Sequence, residues 1–429
     1  MFRSILQTLS AKFVIALLQV GLLFITTRLM GATLKGEISL IILNLSIIAI
    51  LGGTFGGPAL GYLVPRFKLK NLLVINYIWS TITALVVTGI FMFLPSLEDV
   101  HLLFFLVLAV TEGIFSTNTI MLVGGRQLGR YNMAALCKTF LTVIILVGWY
   151  FAGYELTTAA FMWAYLAGLV CGLLIAAFGF RHITSTLPQS ASWREAVQAG
   201  FKYGLVVQIC NLAQMLNYRL SFLLLELFVA APFSLVRIGI YSAVLQVGES
   251  VLQFSRSVSI VQYAEVSNLS SEEAGLRISL VLAKLNYVVT TVGMVVLILI
   301  PTDYYTAFLG NDFIEVREHL YYLSIGVISL SISGALSHYF SGIGLHRINM
   351  KTALLGLVLT IVLGVPGIYY FGTIGAAAVA TVVYLFQTIY QFQQLKQKMD
   401  VQWSALLITR SDVQMGRKIF GRIFGGKGV

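Results

Sequence analysis

The sequence predicts an all-α polytopic membrane protein with about twelve transmembrane helices in two pseudo-symmetric six-helix lobes. The chain of 429 residues is 58% hydrophobic and only 10% charged, whereas soluble domains carry about 25% charged residues. Its apolar runs are roughly 20 residues long, which is the length that a helix needs to cross a bilayer. A short sequence repeat, described below, indicates that the second half of the chain duplicates the first.

Twelve apolar segments follow one another, and most of them are joined by short connections. The connection after the sixth segment is longer, polar and contains Pro188, so we expect the two lobes to be joined there. The expected domains are an N-terminal lobe (1–185), a cytoplasmic linker (186–200), a C-terminal lobe (201–395) and a basic cytoplasmic tail (396–429). The predicted spans are roughly 11–30, 38–63, 72–94, 102–124, 133–151, 157–180, 201–226, 239–262, 277–300, 318–343, 352–371 and 374–395.

The distribution of basic residues predicts the orientation in the membrane. With both termini in the cytoplasm, the cytoplasmic side holds 22 of the 28 lysine and arginine residues, while the outer turns are acidic. An excess of Lys and Arg on the cytoplasmic side is the usual bias of helical membrane proteins. We therefore expect a multi-pass membrane protein with both termini in the cytoplasm. The net charge of +11 follows from this sidedness, and we expect no nucleic-acid partner.

Two six-residue segments of the chain are similar to each other. Leu128–Met133 is followed 217 residues later by Leu345–Met350, and four of the six residues are identical. Each copy lies between the fourth and fifth spans of its own half. Because six spans separate the copies, both halves have the same sidedness, as in a parallel repeat related by an axis along the membrane normal.

Polar residues form a stripe on each of two neighbouring spans, although charged groups at the bilayer centre are costly, at about 2.5–3.5 kcal/mol each on insertion scales. Their spacing places each set on one helical face. The stripes are Gln208, Asn211, Met215, Arg219 and Glu226 in the seventh span, and Ser242, Gln246, Glu249, Gln253 and Arg256 in the eighth. Two interpretations remain open: the stripes line a water-filled cavity, or their charged residues pair with one another and hold the bundle together.

Single polar residues occur in two other spans. Glu112 in the fourth span shares a face with Ser116 and Thr119. A buried carboxylate is a candidate proton or cation site, and hydrogen bonding to neighbouring hydroxyl groups is the alternative. His338 in the tenth span lies near polar neighbours, and we interpret it as a hydrogen-bonded core histidine.

The sequence gives no sign of a metal, a cofactor or a catalytic centre. Cys137, Cys171 and Cys210 lie in or beside apolar segments without the spacing of metal ligands. A phosphate-binding loop for a nucleotide is also absent from the sequence. We therefore expect a protein that is not an enzyme and that needs no cofactor.

Four motifs, spread over nearly the whole chain, resemble those of one known family. They are Thr27–Gly31 with Gly36–Ile38, Asn217–Ser221 with Gly239–Ala243, Leu309–Phe313, and Gly372–Ala377. Their order and spacing resemble polysaccharide flippases of the O-antigen (Wzx-like) type, within the multidrug/oligosaccharidyl-lipid/polysaccharide (MOP) exporter superfamily. The family usually has an aspartate at the position of Ser221, so an ion role tied to that carboxylate does not carry over.

The resemblance implies a fold, a substrate and partners. The implied fold is a pair of six-helix lobes around a central cavity, lined largely by the first, second, seventh and eighth helices. The implied substrate is an undecaprenyl-pyrophosphate-linked oligosaccharide that moves from the cytoplasmic to the outer leaflet by alternating access. The resemblance also implies a bacterial inner membrane with its lipids as the location, and polysaccharide polymerase machinery is a candidate protein partner.

Such a substrate has an anionic head that cannot cross hydrocarbon unaided. Guanidinium groups match phosphate oxygens, so we expect Arg219 and Arg256 to bind the pyrophosphate. The other candidate residues are Arg28 and Arg66, for exit and entrance, and Gln246, Gln253, Gln208 and Asn211, for glycan hydroxyl groups. Glu249 and Glu112 are candidates for coupling to H⁺ or Na⁺.

Other functions predict different sequences. A MATE-like cation or drug antiporter should have an acidic, aromatic cavity instead of one that contains arginines. A lipid II flippase usually has about fourteen spans. A membrane enzyme such as a glycan polymerase needs a sizeable outer loop with catalytic Arg or His, and the outer turns of this chain are too short for one.

Overall fold

The computed structural model describes most of the chain, and the part that it describes is helical, without strands. The described residues are 2–53, 68–91, 102–125, 127–181, 193–230, 233–253, 255–256, 258, 262, 272–399 and 401–406. The α-helices are α1 (Phe2–Phe24), α2 (Gly31–Gly52), α3 (Leu69–Phe91), α4 (Leu102–Gly124), α5 (Leu128–Phe151), α6 (Thr158–Phe180), α7 (Trp193–Phe228), α8 (Phe233–Ser250), α9 (Glu272–Leu299), α10 (Thr302–Leu309), α11 (Val316–Gly342) and α12 (His346–Met399). The predicted fold class is confirmed.

Nine of the helices in the described ranges are long and apolar enough to cross a membrane. They are α1 to α6, α9, α11 and α12. The polar stripes lie on α7 and α8, which are absent from this set. The chain is therefore a multi-pass membrane protein.

Helix α12 contains two spans. Its 54 residues would extend about 80 Å at 1.5 Å per residue, far beyond the roughly 30 Å core of a bilayer. Gly372 breaks it with φ +56° and ψ −131°, a conformation that glycine adopts readily. The chain doubles back there, since a Cβ atom on Gly375 would lie 2.0 Å from the carbonyl oxygen of Gly367. The predicted spans 352–371 and 374–395 are the two halves of this helix.

The chain forms two compact units, and their boundaries fall within α7 and α8. The first unit comprises Met1–Met215, Ala230–Ser242 and Phe308–Phe313, and the second comprises Leu216–Val229, Ala243–Ala307 and Ile314–Val429. Residues 186–192 of the predicted linker and most of the predicted basic tail lie outside the described residues, while the rest of the linker forms the beginning of α7 at Trp193. The four predicted domains therefore stay a prediction.

In the first unit, glycines let α6 pack closely on α4 and α5. A Cβ atom on Gly168 would lie 2.4 Å from the Lys138 carbonyl oxygen of α5. One on Gly179 would lie 2.4 Å from the Leu122 side chain of α4. Added methylene groups in such tight contacts force the backbone to shift, so these positions set the distance between the helices.

The second unit repeats this arrangement. The second half of α12 runs parallel to α11, because the Thr381 hydroxyl donates to the Tyr322 carbonyl at 2.6 Å and the Thr388 hydroxyl to the Ser329 carbonyl at 2.9 Å. In the first unit, α6 runs parallel to α4 in the same way, with Gly172 against Phe115 and Gly179 against Leu122. The internal packing of each half therefore agrees with the sequence repeat.

The bend between α1 and α2 is stabilised by a segment from much later in the chain. A π-helical turn, Ile25–Leu29, ends α1, and Gly31 follows with φ +80°. The Asp312 carboxylate accepts a hydrogen bond of 3.0 Å from the Ala32 N–H, and an anion at a helix N-terminus is favourable. The rings of Phe24 and Phe308 lie 5.3 Å apart. The motifs Thr27–Gly31 and Leu309–Phe313 therefore lie against each other.

Helices α2 and α8 cross at a reciprocal pair of glycines in the first unit. A Cβ atom on Gly36 would lie 2.0 Å from the Leu235 carbonyl oxygen, and one on Gly239 would lie 1.9 Å from the Ala32 carbonyl oxygen. Three residues further along each helix, the Ser39 hydroxyl donates to the Ser242 hydroxyl at 2.9 Å. The glycines of two further family-like motifs are thus points of backbone contact between helices.

This crossing predicts that Gly239→Ala destabilises the protein. The added methyl group has no room beside the Ala32 carbonyl, and overpacking of this kind costs about 1–3 kcal/mol. Thermal unfolding of the purified protein in detergent measures the effect. The matched control is Gly148→Ala on α5, where nothing lies within 4 Å of the added Cβ, and we expect it to be neutral or stabilising. Equal unfolding temperatures for the two variants would contradict the assigned crossing.

Candidate functional site

Two arginines and one glutamate of the second unit form a charge cluster. Both terminal nitrogens of Arg219 donate hydrogen bonds to the Glu249 carboxylate, at 2.9 Å (Nη1 to Oε1) and 3.2 Å (Nη2 to Oε2). Arg256 lies 3.4 Å from the same carboxylate, from Nη2 to Oε2. Two positive charges therefore share the negative charge of Glu249, and these three side chains together carry a formal charge of +1.

The helices bring these residues together in a simple way. Glu249 lies one residue before the end of α8, and Arg256 follows seven residues later, after a turn at Val251. Arg219 comes from α7, with its guanidinium 5.7 Å from the centre of the Phe222 ring. The spacing of the polar residues predicted the shared face, and the structure adds the partner from α7.

The exposure of the cluster is graded. The Glu249 side chain is 13% exposed, that of Arg219 is 29% exposed and that of Arg256 is 51% exposed. The carboxylate is thus the most enclosed part, and the guanidinium groups lie toward the accessible side. Of the two interpretations of the polar stripes, pairing of charged residues holds for these three. The exposed guanidinium surface is compatible with ligand binding as well.

The remaining predicted binding residues fall into two sets. In the first unit, Gln208 is buried, donates to the Gly53 carbonyl at 2.8 Å and accepts from the Asn211 amide at 3.1 Å. Gln208 thus closes the C-terminal end of α2, while Asn211 itself is exposed. Arg28 is exposed in the π-helical turn after α1.

In the second unit, Gln246 and Gln253 are half-buried and lie on or just after α8. They share the helical face of Glu249 and Arg256 by spacing. Arg66 lies outside the described residues. The structure therefore brings two groups of predicted residues into direct contact, namely Arg219, Glu249 and Arg256 in the second unit and Gln208 with Asn211 in the first.

A second ion pair, inside the first unit, was missed by the sequence analysis. The Lys138 ammonium contacts both carboxylate oxygens of Glu112, at 2.8 and 3.0 Å. The Tyr165 hydroxyl donates to the same carboxylate at 3.0 Å. The ammonium also lies 4.5 Å from the centre of the Tyr165 ring and 4.9 Å from that of Phe115, within the range of cation–π attraction.

Lys138 is one of the 22 basic residues that the predicted topology assigns to the cytoplasmic side. Its position ten residues into α5 is the signal that could have identified it as an intramembrane charge. The sequence-based alternative for Glu112 was hydrogen bonding to neighbouring hydroxyl groups. In the structure, the Lys138 ammonium and the Tyr165 hydroxyl contact its carboxylate. The positions 217 residues further on hold Ser329, Leu355 and Val382, so the second half has no equivalent charge pair.

Other polar residues have structural hydrogen bonds. In the sequence repeat, Arg130 donates to the Phe178 carbonyl at 2.6 Å, and Asn349 donates to the Ser337 carbonyl at 2.8 Å. His319, which is 1% exposed, contacts the Glu315 carbonyl and the Thr373 hydroxyl at 2.7 and 2.8 Å. Within the described ranges, no group of His, Cys, Asp and Glu could hold a metal ion.

The buried pair predicts a large loss of stability for Lys138→Met. The substitution leaves the Glu112 carboxylate enclosed without its cation, and breaking a buried ion pair costs about 3–5 kcal/mol. Thermal unfolding in detergent tests this, and the double variant Lys138→Met/Glu112→Gln should recover most of the loss because no unpaired charge remains. Lys351→Met, at an exposed lysine of α12, is the matched control. Additive single and double effects would contradict the pairing.

Comparison with known proteins identifies the fold. No protein-family model matches the sequence, and no curated protein matches it. The chain is similar to an inward-facing structure of a multidrug resistance MATE family transporter of the MOP superfamily (TM-score 0.68, 15% identity, 92% of this chain and 98% of that chain). It is also similar to an outward-facing structure of such a transporter (0.65, 15%, 95% and 97%).

A third similar structure is a MOP superfamily transporter from Pyrococcus furiosus, whose binding pocket is described as having a reversed polarity that suggests a different function (TM-score 0.66, 14% identity, 95% of this chain and 97% of that chain). At such identities the likeness concerns the fold. The chain therefore has the two-lobe helical fold of transporters of the MOP superfamily.

Proposed function

We propose that the protein is a flippase that moves an anionic lipid-linked glycan across a bacterial inner membrane by alternating access. The proposed substrate is an undecaprenyl-pyrophosphate-linked oligosaccharide, which moves from the cytoplasmic to the outer leaflet. The observation that carries the proposal is the cluster of Arg219, Arg256 and Glu249, in which two guanidinium groups share one carboxylate.

The charge of the cluster favours an anion over a cation. A site for an organic cation needs a net negative charge, whereas the side chains of Arg219, Arg256 and Glu249 together carry one excess positive charge. A guanidinium presents its N–H groups as a planar fork that fits phosphate oxygens. The half-exposed side chain of Arg256 gives a phosphate group access to such a fork. A pyrophosphate has two phosphoryl groups, so it could contact both arginines at once.

The fold supports the transport cycle. Structures with this fold are known in inward-facing and outward-facing conformations, which are the two end states that alternating access requires. In such a cycle only the polar head has to pass through the protein, because the apolar tail can remain in the lipid. An anion that leaves a negative-inside cell also moves with the membrane potential, at about 2.3 kcal/mol per charge per 100 mV.

The other predicted residues have subsidiary roles in this proposal. Gln246 and Gln253 would bond glycan hydroxyl groups, since they share the face of the cluster. The exposed Asn211 would do the same, whereas Gln208 is engaged with Gly53. In the proposed orientation, both termini lie in the cytoplasm. Arg28 would then act where the substrate leaves and Arg66 where it enters. Membrane lipids and polysaccharide polymerase machinery are the proposed partners.

Coupling to H⁺ or Na⁺ would have to act through a carboxylate that already has a basic partner. Glu112 is held by Lys138, and Glu249 is held by Arg219. An ion that binds either carboxylate must therefore compete with a tethered cation of the protein. The membrane potential alone is the simpler driving force, and Glu112 and Glu249 remain the two candidates for ion coupling.

Arginine substitutions test the proposed substrate. Arg219→Ala and Arg256→Ala should each reduce flipping of a lipid-linked pyrophosphate oligosaccharide in proteoliposomes by tenfold or more, since a hydrogen bond to a charged group contributes about 1.5–3 kcal/mol. Arg219→Lys should retain part of the activity, because it keeps the charge and loses the fork. The control is Arg277→Ala, at an exposed arginine of α9.

Deletion of the gene in its native host gives a complementary result. We expect complete lipid-linked repeat units to accumulate on the inner leaflet. Efflux of organic cations with normal glycan assembly would instead support the MATE-like alternative and contradict the proposal.

A further inference from the structure

We propose that Glu249 is an internal counter-anion that makes the site selective for pyrophosphate over singly charged phospholipid head groups. The inference rests on the proposed function, because it assumes that Arg219 and Arg256 bind the head of an anionic lipid. It assigns to Glu249 a specificity role that differs from ion coupling.

The geometry shows what Glu249 occupies. Its two oxygens take the fork of Arg219 at 2.9 and 3.2 Å, and one of them also lies 3.4 Å from Arg256. A phosphate group that binds the Arg219 fork needs the same two N–H groups. A phosphate group cannot take this fork while the carboxylate remains there, so binding to both terminal nitrogens of Arg219 includes the displacement of Glu249.

The carboxylate is a strong competitor because it is part of the same chain. A tethered group acts at an effective concentration that does not depend on what the membrane contains. Its side chain is also the most enclosed of the three, with 13% exposed. The resting site is thus already occupied by one negative charge in a charge-assisted, bidentate contact, which is among the stronger hydrogen-bonded pairs in proteins.

This competitor affects different lipids to different degrees. A phosphodiester head group carries one negative charge, as Glu249 does, so it gains little from the exchange. A pyrophosphate carries more charge and more oxygens, and it can contact Arg219 and Arg256 together. Anionic phospholipids greatly outnumber any lipid-linked intermediate in a membrane, and an unguarded pair of arginines would bind them. Because a lipid has to compete with Glu249, bulk phospholipids bind weakly and a pyrophosphate lipid binds more tightly than they do.

Binding measurements with lipids of different charge test this role. The probes are farnesyl pyrophosphate, farnesyl methyl phosphate (a monophosphate diester with one negative charge) and short-chain phosphatidylglycerol, titrated calorimetrically into the full-length protein in a neutral detergent. We expect the wild-type protein to bind the pyrophosphate at least tenfold more tightly than either singly phosphorylated lipid. In Glu249→Gln, affinity for the monophosphate and for phosphatidylglycerol should rise by tenfold or more, and the preference for pyrophosphate should shrink.

Two further variants complete the experiment. Glu249→Asp keeps the charge on a shorter side chain, so its selectivity should fall between those of the wild type and Glu249→Gln. Glu318→Gln, at an exposed glutamate of α11, removes one negative charge elsewhere and should leave selectivity unchanged. If Glu249→Gln is too unstable to purify, the relative affinities for the lipids are measured with Glu249→Asp. A competition experiment on the wild type is then added, in which an excess of phosphatidylglycerol should fail to displace farnesyl pyrophosphate.

The outcomes separate this inference from the function on which it rests. Tight pyrophosphate binding with the same selectivity in the wild type and Glu249→Gln would overturn the counter-anion role and leave the flippase proposal intact. No measurable pyrophosphate binding by the wild type would overturn the proposed function itself. Equal selectivity in Glu249→Asp and the wild type, together with displacement of farnesyl pyrophosphate by phosphatidylglycerol, would also contradict the role.

Discussion

A charge inside a bilayer must find its partner within the protein, and this constraint governs two ion clusters in the described part of the chain. Removal of an ion from water is costly, and only close pairing with good geometry compensates for it. In the first unit, Lys138 and Glu112 satisfy the requirement completely, with Tyr165 as an additional donor. The result is a neutral pair that stabilises three helices.

The second cluster meets the same constraint incompletely, and that difference makes it the better candidate site. Glu249 neutralises one of two guanidinium groups, and the cluster retains a positive charge beside partly exposed surface. The internal packing of the two units is similar, whereas their charged residues differ. In the described part of the chain, the repeated helix packing therefore carries one neutral and one cationic cluster, and we propose the cationic cluster as the anion site.

Sequence reasoning predicted the fold class because its signals are local and strong. The lengths of the apolar runs and the repeat at Leu128–Met133 can each be recognised within a short stretch of sequence, without knowledge of how the helices pack. The shared face of Glu249 and Arg256 was predictable for the same reason, since helical spacing alone determines it. The pairing of Glu112 with Lys138 was not predictable, because it depends on how α4, α5 and α6 pack around glycines such as Gly168.

The family-like motifs illustrate the same limit. Asp312 caps α2 at Ala32, yet 280 residues separate the two, and no local pattern connects them. Gly36 and Gly239 likewise contact backbone atoms of a helix that the sequence cannot position. These motifs identify the family resemblance, while their physical function is backbone packing.

The most direct test of the central claim is a structure of the protein with a bound lipid-linked pyrophosphate. The account predicts phosphate oxygens within hydrogen-bond distance, about 3 Å, of the guanidinium nitrogens of both Arg219 and Arg256, with Glu249 displaced from the Arg219 fork. A pyrophosphate bound elsewhere, with the Arg219–Glu249 pair unchanged, would contradict it.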